Sequence, residues 1–503
     1  MTRVAGKKVQ TAPVEAPPES QERRERRRKQ ESERLKAESA AARSAEPLML
    51  NVSPAPRPAV KPQPLGAGSG SGRVTRRKTD ALPRVSPLRI IGAGVRAVFS
   101  IRISPVRQAK ALFASGPTAG PMDSVLACAV VLLVFFGLVM VYSASAVHSQ
   151  HVYNNAEFLA LKQVIFAVVG LSLMFWLSGV DYRRYRRLSG WALLGSIGLL
   201  MVTISGAGTV GGGASRWIRF GGVFNIQPAE LAKVAMIMWL SSSLATKAER
   251  VHTFWIGYLP HVIAAGMVGG LCLMQPDFGS AVMVGLITLV LLVTAGARFR
   301  YIVPSVLVSL PLAYAAVAYS PYRRARFEAF RAPFEHLQTG GYQLAKSQLA
   351  FGTGGLRGIG LGDSKQKLFF LPEAHTDFIA AVIGEELGLF GMALLVGLFC
   401  LVFLRGIQVA FRARDDFGTY LATGLSMFVA LQVFVNLAVT VGLMPTKGLV
   451  LPFISYGGSA MLVNCSAIGI LLSVSRSRLA NDAGAATGWT GAEEGSMATG
   501  GLV

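Results

Sequence analysis

The chain has 503 residues, of which 52% are hydrophobic and only 15% are charged, with 50 Lys and Arg against 27 Asp and Glu. A soluble domain contains about 25% charged residues, so this composition excludes a disordered protein, a small disulfide scaffold and an ordinary soluble enzyme. Residues 1–121 contain 24 Lys and Arg but 9 Asp and Glu, whereas the rest of the chain contains 26 and 18. The C-terminal three-quarters therefore has the composition of an integral membrane protein.

Residues 1–121 are rich in Pro, Ala, Ser and Arg and contain few large apolar side chains. This composition predicts a disordered basic tail that is attracted to an anionic cytoplasmic leaflet. Nucleic acid is not an expected partner, because no aromatic residues interleave the basic ones. No cleaved signal peptide is visible, and the first apolar run, near residue 124, is expected to target the chain to the membrane. Residues 477–503 are predicted to form a second disordered tail.

Ten runs between these tails are long and apolar enough for membrane-crossing helices, each of which needs about 20 such residues. They are residues 124–142, 161–179, 190–206, 228–245, 254–274, 278–296, 301–319, 377–404, 419–443 and 455–474. If both termini are cytoplasmic, the cytoplasmic connections carry 13 Lys and Arg and the short exterior ones carry 3. This asymmetry follows the positive-inside rule and favours an even number of crossings. We expect an all-α polytopic protein whose membrane domain covers residues 122–476.

One exterior connection, residues 320–376, is much longer than the others and contains 8 Lys and Arg against 4 Asp and Glu. Aromatic and aliphatic residues occur throughout it, so we expect an ordered loop that contacts an anionic ligand outside the cell. Its glycines, from Gly352 to Gly362, do not match a P-loop and are interpreted as flexible turns. The four cysteines, Cys128, Cys272, Cys400 and Cys465, are far apart in apolar runs and are expected to be buried thiols.

Ionisable residues inside spans usually face a cavity or each other. Glu230 and Lys233 are one helical turn apart, and they are either a self-neutralising pair or part of a polar site. Asp277 is most simply the N-cap of the sixth span. Asp377 is at the start of the eighth span, where a carboxylate caps a helix well, and local pattern alone favours that role. At 100° per residue, at most one of Glu385 and Glu386 shares the face of Asp377, roughly 12 Å deeper.

The surroundings of Asp377 favour chemistry over capping. Lys365, Lys367, Glu373, His375 and Asp377 occur within thirteen residues, and Arg216 and Arg219 project from the other basic exterior loop. Carboxylates beside cations suit a reaction that needs a proton acceptor and stabilisation of a phosphate leaving group. The spacing does not establish that reaction.

From about residue 124 to 476 the sequence resembles the SEDS family of shape, elongation, division and sporulation proteins. The resemblance is carried by ASRWIRFGGVFNIQPAELAK (214–233), QPDFGSA (275–281), the segment 341–388 with its PEAHTDF and IGEELG motifs, and PTKGLVLPFISYGGS (445–459). These motifs look more like the cell-division branch of the family than its elongation branch. Residues 1–121 lie outside the resemblance.

The resemblance implies a ten-helix peptidoglycan glycosyltransferase that polymerises lipid II at the outer face of the bacterial cytoplasmic membrane, at the division septum. It implies lipid II, a class B penicillin-binding protein and other divisome membrane proteins as partners. Asp377 matches the family's essential acidic residue and would be the catalytic base. The implied substrate-binding residues are Arg216, Lys233, Lys367, Glu373, His375 and Lys447, and the implied supporting residues are Glu230, Glu386 and Asp277.

Two points stay open from the residues themselves. A helix N-terminus and nearby cations are expected to lower the pKa of Asp377, which would weaken it as a base. Asp377 and Glu373 could hold a divalent cation beside a diphosphate, but no closed ligand set is visible, so no metal site or cofactor is assigned. The alternatives to an enzyme are a lipid II flippase, which Glu230, Lys233 and Glu386 would fit as a polar pathway, and a non-catalytic divisome scaffold.

Overall fold

The computed structural model describes residues 121–488, apart from 208, 212–213, 221–223 and 339. Twelve α-helices make up most of this part of the chain. In chain order they are α1 Ser124–Tyr153, α2 Phe158–Ser178, α3 Tyr182–Val202, α4 Pro228–Thr246, α5 Leu259–Met274, α6 Phe278–Thr294, α7 Phe299–Ala318, α8 Pro321–Arg331, α9 Tyr342–Gly354, α10 Ile379–Phe411, α11 Asp416–Val441 and α12 Gly458–Gly488. Short π-helical turns, Thr203–Ala207 and Phe254–Tyr258, end α3 and precede α5.

Every predicted span coincides with a helix, and α8 and α9 are additional helices inside the loop 320–376. Within the described residues, eight helices are long and apolar enough to cross a membrane, which makes the chain a multi-pass membrane protein. The two predicted spans outside this set are α6, which is apolar but has 17 residues, and α4, which carries Glu230 and Lys233. Ten crossings with cytoplasmic termini therefore stay a prediction.

The helices differ sharply in how much protein surrounds them. In α12 and α11, 83% and 67% of the most apolar stretch is buried inside the protein, whereas in α7 the figure is 6%. The only buried residue of α7 is Ile302. In a membrane protein a surface that is apolar all round can face lipid, so α11 and α12 form the centre of the bundle and α7 lies at its edge.

A small antiparallel sheet follows α3, formed by β1 Thr209–Gly211, β2 Ala214–Phe220 and β3 Phe224–Ile226, with β2 in the middle. Successive side chains of a strand point to opposite faces. Arg216 and Ile218 therefore share one face of the sheet, where Arg216 is half-buried and Ile218 is buried. Arg219, on the other face, is exposed. The sequence predicted only a connection here, so the sheet that orients Arg216 is a finding of the structure.

The first part of α10 is held by the loop that follows α9. Gly388 interrupts α10 with φ 62° and ψ −157°, and an added Cβ there would lie 2.3 Å from the backbone nitrogen of Gly358. The amides of Ile359 and Gly360 donate to the carbonyls of Glu385 and Glu386 at 3.0 and 3.1 Å. The glycine-rich stretch was interpreted as flexible turns, and the structure corrects this in part: its first residues, to Gly354, end α9, whereas Gly355, Gly358, Gly360 and Gly362 have left-handed φ values in turns that pack against α10.

Two further expectations need correction. Cys272 and Cys465 are buried, but Cys128 and Cys400 are exposed on α1 and α10, because an apolar run does not distinguish a lipid-facing position from a core position. α12 continues past residue 476 to Gly488, so the first residues of the tail predicted for 477–503 are helical; residues 489–503 lie outside the described residues, and the domain boundary stays a prediction. The tail predicted for residues 1–121 lies outside the described residues, except for its last residue.

Candidate active site

Asp377 lies in the turn before α10 and is half-buried. The N-cap of α10 is Phe378 and makes no capping hydrogen bond through its side chain. Asn436 of α11 donates to the backbone carbonyl of Asp377 at 2.9 Å. Among the described residues no group donates a hydrogen bond to the Asp377 carboxylate. The capping role that local pattern favoured is therefore absent, and the carboxylate is available to a ligand.

An open cleft of about 90 Å³ lies beside this carboxylate. It brings together four cations and one acid from separate parts of the chain, namely Arg216, Arg323, Arg326, Lys447 and Asp277. Gly448 also lines the cleft, and a Cβ added to it would lie 3.3 Å from Asp377 Oδ2. The Asp377 carboxylate therefore lies at the edge of a strongly cationic cleft.

Two of the cations are held by backbone carbonyls. Arg216 donates through Nε to the carbonyl of Gln275 at 3.3 Å, and also to the carbonyl of Pro276. Arg326 of α8 donates to the carbonyl of Thr446 at 3.3 Å.

The other two cations both lie over the ring of Phe278. The Lys447 ammonium lies 5.2 Å from its centre, and the Arg323 guanidinium lies 5.8 Å from it. These are cation–π distances. The cations are therefore oriented by backbone carbonyls and an aromatic ring, which leaves positive charge for an anionic ligand.

Asp277 has the role that its position predicted. Its carboxylate accepts hydrogen bonds from the amide of Ser280 at 3.0 Å and the hydroxyl of Ser280 at 2.8 Å, which caps α6. Gln227 adds a weaker contact at 3.4 Å. The prediction of an N-cap is confirmed, and the same residue also lines the cleft.

Burial, and after it the charge of Glu373, raise the pKa of Asp377 to about 7 against the opposing effect of Arg326 and Arg216. The sequence predicted a lowered pKa. The prediction is wrong because the carboxylate does not cap α10, and because desolvation outweighs the cations. Burial also lowers the pKa of Lys447, against the opposing effect of Asp277. An acid with a pKa near 7 is suited to accept a proton at neutral pH.

Glu373 and His375 flank Asp377 in the same turn. Glu373 is exposed, has a left-handed φ of 56°, and accepts a hydrogen bond from the hydroxyl of Thr376 at 2.7 Å. His375 stacks on His148 of α1, with ring centres 5.1 Å apart. Burial lowers the pKa of His375, with Glu373 raising it and His148 lowering it further. Both residues lie in the Asp377 turn, and their predicted contact with substrate stays a prediction.

The pair Glu230–Lys233 lies in α4, away from the cleft. Lys233 is 0% exposed, and its Nζ lies 2.7 Å from Glu230 Oε1. Gln432 donates to the other Glu230 oxygen at 3.0 Å, and the ammonium lies over the ring of Phe428. The self-neutralising pair is therefore the arrangement present. Lys233, expected to bind substrate, lines no part of the cleft because Glu230 holds it inside the bundle.

Lys367 and Glu386 form a second buried pair. Lys367 Nζ lies 3.1 Å from Glu386 Oε1, and the Ser143 hydroxyl, which donates its one hydrogen to this carboxylate, lies 2.7 and 2.8 Å from the two oxygens. The neighbouring Glu385 accepts from the amides of Lys365 and Gln366, each at 3.3 Å. Lys367 was expected at the phosphate site, but its charge is neutralised by Glu386, so it fastens the loop to α10.

Of the predicted substrate cations, the structure therefore brings only Arg216 and Lys447 to the cleft. Sequence reasoning missed Arg323 and Arg326, which α8 adds to it. The basic run Arg323-Arg324-Ala325-Arg326 was a visible signal, but its position relative to Asp377 depends on the fold of the loop. Among the described residues no group of three or more His, Cys, Asp and Glu side chains could hold a metal ion. The sequence assigned no metal here, and the question of a divalent cation at Asp377 and Glu373 stays open.

Fold and site together define a polytopic helical membrane protein in which the Asp377 carboxylate, which does not cap α10, lies beside a cationic cleft. Residues 123–479 match the family described as cell cycle protein, which unites FtsW, RodA and SpoVE. Because the match covers most of the chain, the protein belongs to this family, the SEDS family that its motifs resemble.

Individual relatives agree with this assignment. The chain is 46% identical over 354 residues to the probable peptidoglycan glycosyltransferase FtsW of Geobacter metallireducens, covering 70% of this chain and 94% of that protein. It is 40% identical to the stage V sporulation protein E of Bacillus subtilis, covering 70% and 97%. The matches that carry the name FtsW agree with the cell-division branch.

Two solved structures share the fold. One is described as the structural coordination of polymerization and crosslinking by a peptidoglycan synthase complex, with a TM-score of 0.60, 28% identity, and coverage of 71% of this chain and 98% of that chain. The other is the rod shape determining protein RodA of Thermus thermophilus, with a TM-score of 0.55, 27% identity, and coverage of 72% and 99%.

Proposed function

We propose that the protein is a peptidoglycan glycosyltransferase that polymerises lipid II into β-1,4-linked glycan strands for septal wall synthesis in cell division. The observation that carries this proposal is the half-buried Asp377 carboxylate, with a pKa raised to about 7, at the edge of a cleft lined by four cations. A proton acceptor next to concentrated positive charge suits transfer of a sugar from a diphosphate. The names of the relatives point to the same activity.

In the proposed step, Asp377 accepts the proton of the acceptor sugar's 4-hydroxyl as that oxygen bonds to the anomeric carbon of the donor. The bond between the anomeric carbon and the diphosphate oxygen breaks, and its electron pair leaves with undecaprenyl pyrophosphate. A new glycosidic bond and a protonated Asp377 result, so atoms and charge balance. The proton then passes to water and restores the base.

The four cleft cations stabilise the negative charge that develops on the leaving diphosphate. Arginines suit this task because a planar guanidinium binds phosphate oxygens in pairs. Arg216 and Arg326 are fixed by carbonyls of separate segments, so they require little reorganisation when charge develops. A divalent cation between Asp377 and Glu373 is a further arrangement, tested by assaying polymerisation with and without a chelator.

The proposed setting is the bacterial cytoplasmic membrane at the division septum, with the cleft on the outer face. A class B penicillin-binding protein is the proposed partner, because the solved relative is described as a complex that couples polymerization and crosslinking. Other divisome membrane proteins are proposed as additional partners on the family resemblance.

The test is polymerisation of labelled lipid II by the purified full chain in detergent, alone and with its cognate class B penicillin-binding protein. We expect glycan polymer from the wild type and none from Asp377→Ala, although the variant stays folded and partner-bound. Glu335→Ala, which removes an exposed carboxylate of the same loop, is the matched control and keeps activity. Polymer from Asp377→Ala at the wild-type rate would refute the assignment of the base.

The same preparation distinguishes the alternatives. Translocation of lipid II in liposomes without polymer would support a flippase, and the absence of both activities would support a scaffold. The structure gives the flippase little support, because Glu230 and Lys233 neutralise each other and Glu386 is neutralised by Lys367.

A further inference from the structure

Asn436 is a buried amide on α11, 2% exposed, one helical turn beyond Gln432 and at the level of the Asp377 turn. Its Nδ2 donates to two backbone carbonyls, that of Asp377 at 2.9 Å and that of Leu449 at 2.6 Å. Its Oδ1 is buried and has no hydrogen-bond partner among the described residues. The amide orientation follows from these contacts, because a flipped amide would set its oxygen against both carbonyls.

The two carbonyls belong to the two segments that form the site. One segment carries Asp377, and the other, residues 445–449, carries Lys447 and the Gly448 that borders the carboxylate. These segments are separated by about seventy residues of chain, and α11 lies between them in sequence. The NH₂ group of Asn436 therefore links the turn that carries the predicted base to the loop segment that carries the cleft cation Lys447.

Neither segment has regular structure that would fix this separation by itself. Residues 371–378 form successive turns, and residues 443–457 lie between α11 and α12 without a helix or strand. A buried backbone carbonyl needs a donor, and the two carbonyls share one here. The amide of Tyr456 also donates to the carbonyl of His375 at 2.9 Å, so removing the Asn436 donor loosens the contact at Asp377 and Leu449 without separating the two segments.

We propose that Asn436 is a positioning residue of the transferase site, whose amide holds the Asp377 and Leu449 carbonyls together and so fixes the Asp377 carboxylate against the cleft. The proposal rests on the proposed function, because it assigns Asn436 to the placement of the proposed base. Asn436 itself contacts no reacting atom. Asn436 sets the distance from the Asp377 carboxylate to the cations that are proposed to bind the diphosphate. Misplacement of a catalytic group by about 1 Å can reduce a rate by about 10²-fold.

Loss of the Asn436 amide should change the pKa of Asp377, which a general loss of stability would not do. The charged groups that act on this carboxylate are Glu373 in its own turn, Arg326 of α8 and Arg216 of β2. Burial is the largest cause of its raised pKa. If the turn loosens, the carboxylate becomes more exposed to water, and its pKa falls from about 7 toward the ordinary value of about 3.9.

The test compares wild type with Asn436→Ala in two measurements. In lipid II polymerisation we expect kcat to fall about 10- to 100-fold with KM changed less than about threefold, and the acid limb of the pH profile to move to lower pH. In the second measurement, a hydrophobic carbodiimide labels protonated carboxylic acids, and mass spectrometry reads the peptide that contains Asp377. The labelling midpoint, near pH 7 in the wild type, is expected at lower pH in the variant.

Asn464→Ala is the matched control. Asn464 is also a buried amide, 0% exposed, and its Nδ2 donates at 2.8 Å to the carbonyl of Ala460 in its own helix. Its substitution is expected to leave kcat and the labelling midpoint unchanged. Asn436→Ser keeps one donor hydrogen and should give a smaller shift in the same direction, and it decides the question if Asn436→Ala does not fold.

An unchanged labelling midpoint in a folded Asn436 variant overturns the proposal, even if kcat falls, because a purely structural role would give that result. Labelling does not require catalysis. If the wild type makes no polymer but the midpoint moves in the variant, the proposed function fails while the positioning role stands.

Discussion

Asp377, Glu385 and Glu386 lie within ten residues at the start of α10, yet their surroundings are opposite. Glu386 accepts from Ser143 and pairs with Lys367, and Glu385 accepts from backbone amides of the loop. The Asp377 carboxylate receives no hydrogen bond from the described residues. The groups that act on it are nearby charges. Buried carboxylates that are fully hydrogen-bonded hold structure together, whereas one without partners is free to react.

The difference comes from which residues the loop supplies. The segment 358–367 packs directly on α10 and delivers amides, a hydroxyl and an ammonium to the two glutamates. Ten residues later the same loop turns away and leaves Asp377 facing the cations of other segments. One loop therefore both stabilises the helix and presents the candidate base.

The largest expected effect separates these two kinds of acid by the same chemical change. Asp377→Asn should reduce polymerisation by about 10²–10⁴-fold, because an amide cannot accept the proton. Its apparent Tm at pH 8 should equal or exceed that of the wild type. A raised folded pKa means that stability is present below the unfolded pKa and is lost as pH rises through about 7, and the amide avoids that loss.

Thermal unfolding in detergent and the polymerisation assay measure both quantities. Glu385→Gln is the matched change at a hydrogen-bonded carboxylate. It should lower the apparent Tm, and its effect on activity per folded molecule should be much smaller than that of Asp377→Asn. A loss of stability in Asp377→Asn at pH 8 with retained activity would reverse the comparison.

The second effect concerns the buried pair. Glu386→Ala should destabilise the protein by about 3–5 kcal/mol, because it removes the buried carboxylate and leaves the Lys367 ammonium only the Ser143 hydroxyl and the Gly362 carbonyl. Lys367→Met combined with Glu386→Gln removes both charges and should recover most of that loss. Glu328→Ala, which breaks the exposed i,i+4 pair with Arg324, should change stability by less than about 1 kcal/mol. Equal losses in Glu386→Ala and Glu328→Ala would contradict this account.

The third effect tests the cations that serve Asp377. Arg326→Ala should lower kcat/KM about 10- to 100-fold, because one of four positive charges is lost where diphosphate charge develops. Arg324→Ala, on the same helix but exposed and paired with Glu328, is the control and should change kcat/KM by less than about twofold. The comparison is made by initial rates at several lipid II concentrations. A similar loss in both variants would mean that α8 acts only through its net charge.

The sequence could predict the features that depend on near neighbours in the chain. Apolar runs located the helices, the i,i+3 spacing predicted the Glu230–Lys233 pair, and the position before a helix predicted the Asp277 cap. Membership of the family followed from motifs that are contiguous in sequence.

Features that depend on tertiary contacts were not predictable in this way. The approach of Gly358 to Gly388 decides that Lys367 meets Glu386 rather than a ligand. The return of α8 to the segment 445–448 decides that Arg323 and Arg326 join the cleft. Burial reverses the expected pKa shift of Asp377, and no local pattern records burial at the end of a membrane helix.

The smallest effect is on pH dependence. Because the proposed base must be ionised, kcat/KM should rise about tenfold per pH unit below pH 7 and flatten above the pKa of Asp377, which is about 7. Glu373 raises that pKa and Arg326 lowers it. Glu373→Gln should therefore move the acid limb to lower pH, and Arg326→Ala should move it to higher pH, each by less than about one unit.

Opposite shifts from Glu373→Gln and Arg326→Ala would show that the limb reports the charge of Asp377 and not a pH effect on the substrate or on the bundle. Glu335→Gln, an exposed acid of the same loop, should leave the limb in place. If the limb stays fixed in all three variants, another group controls the ionisation step, and the difference between Asp377 and the two glutamates would be one of structure without a catalytic consequence.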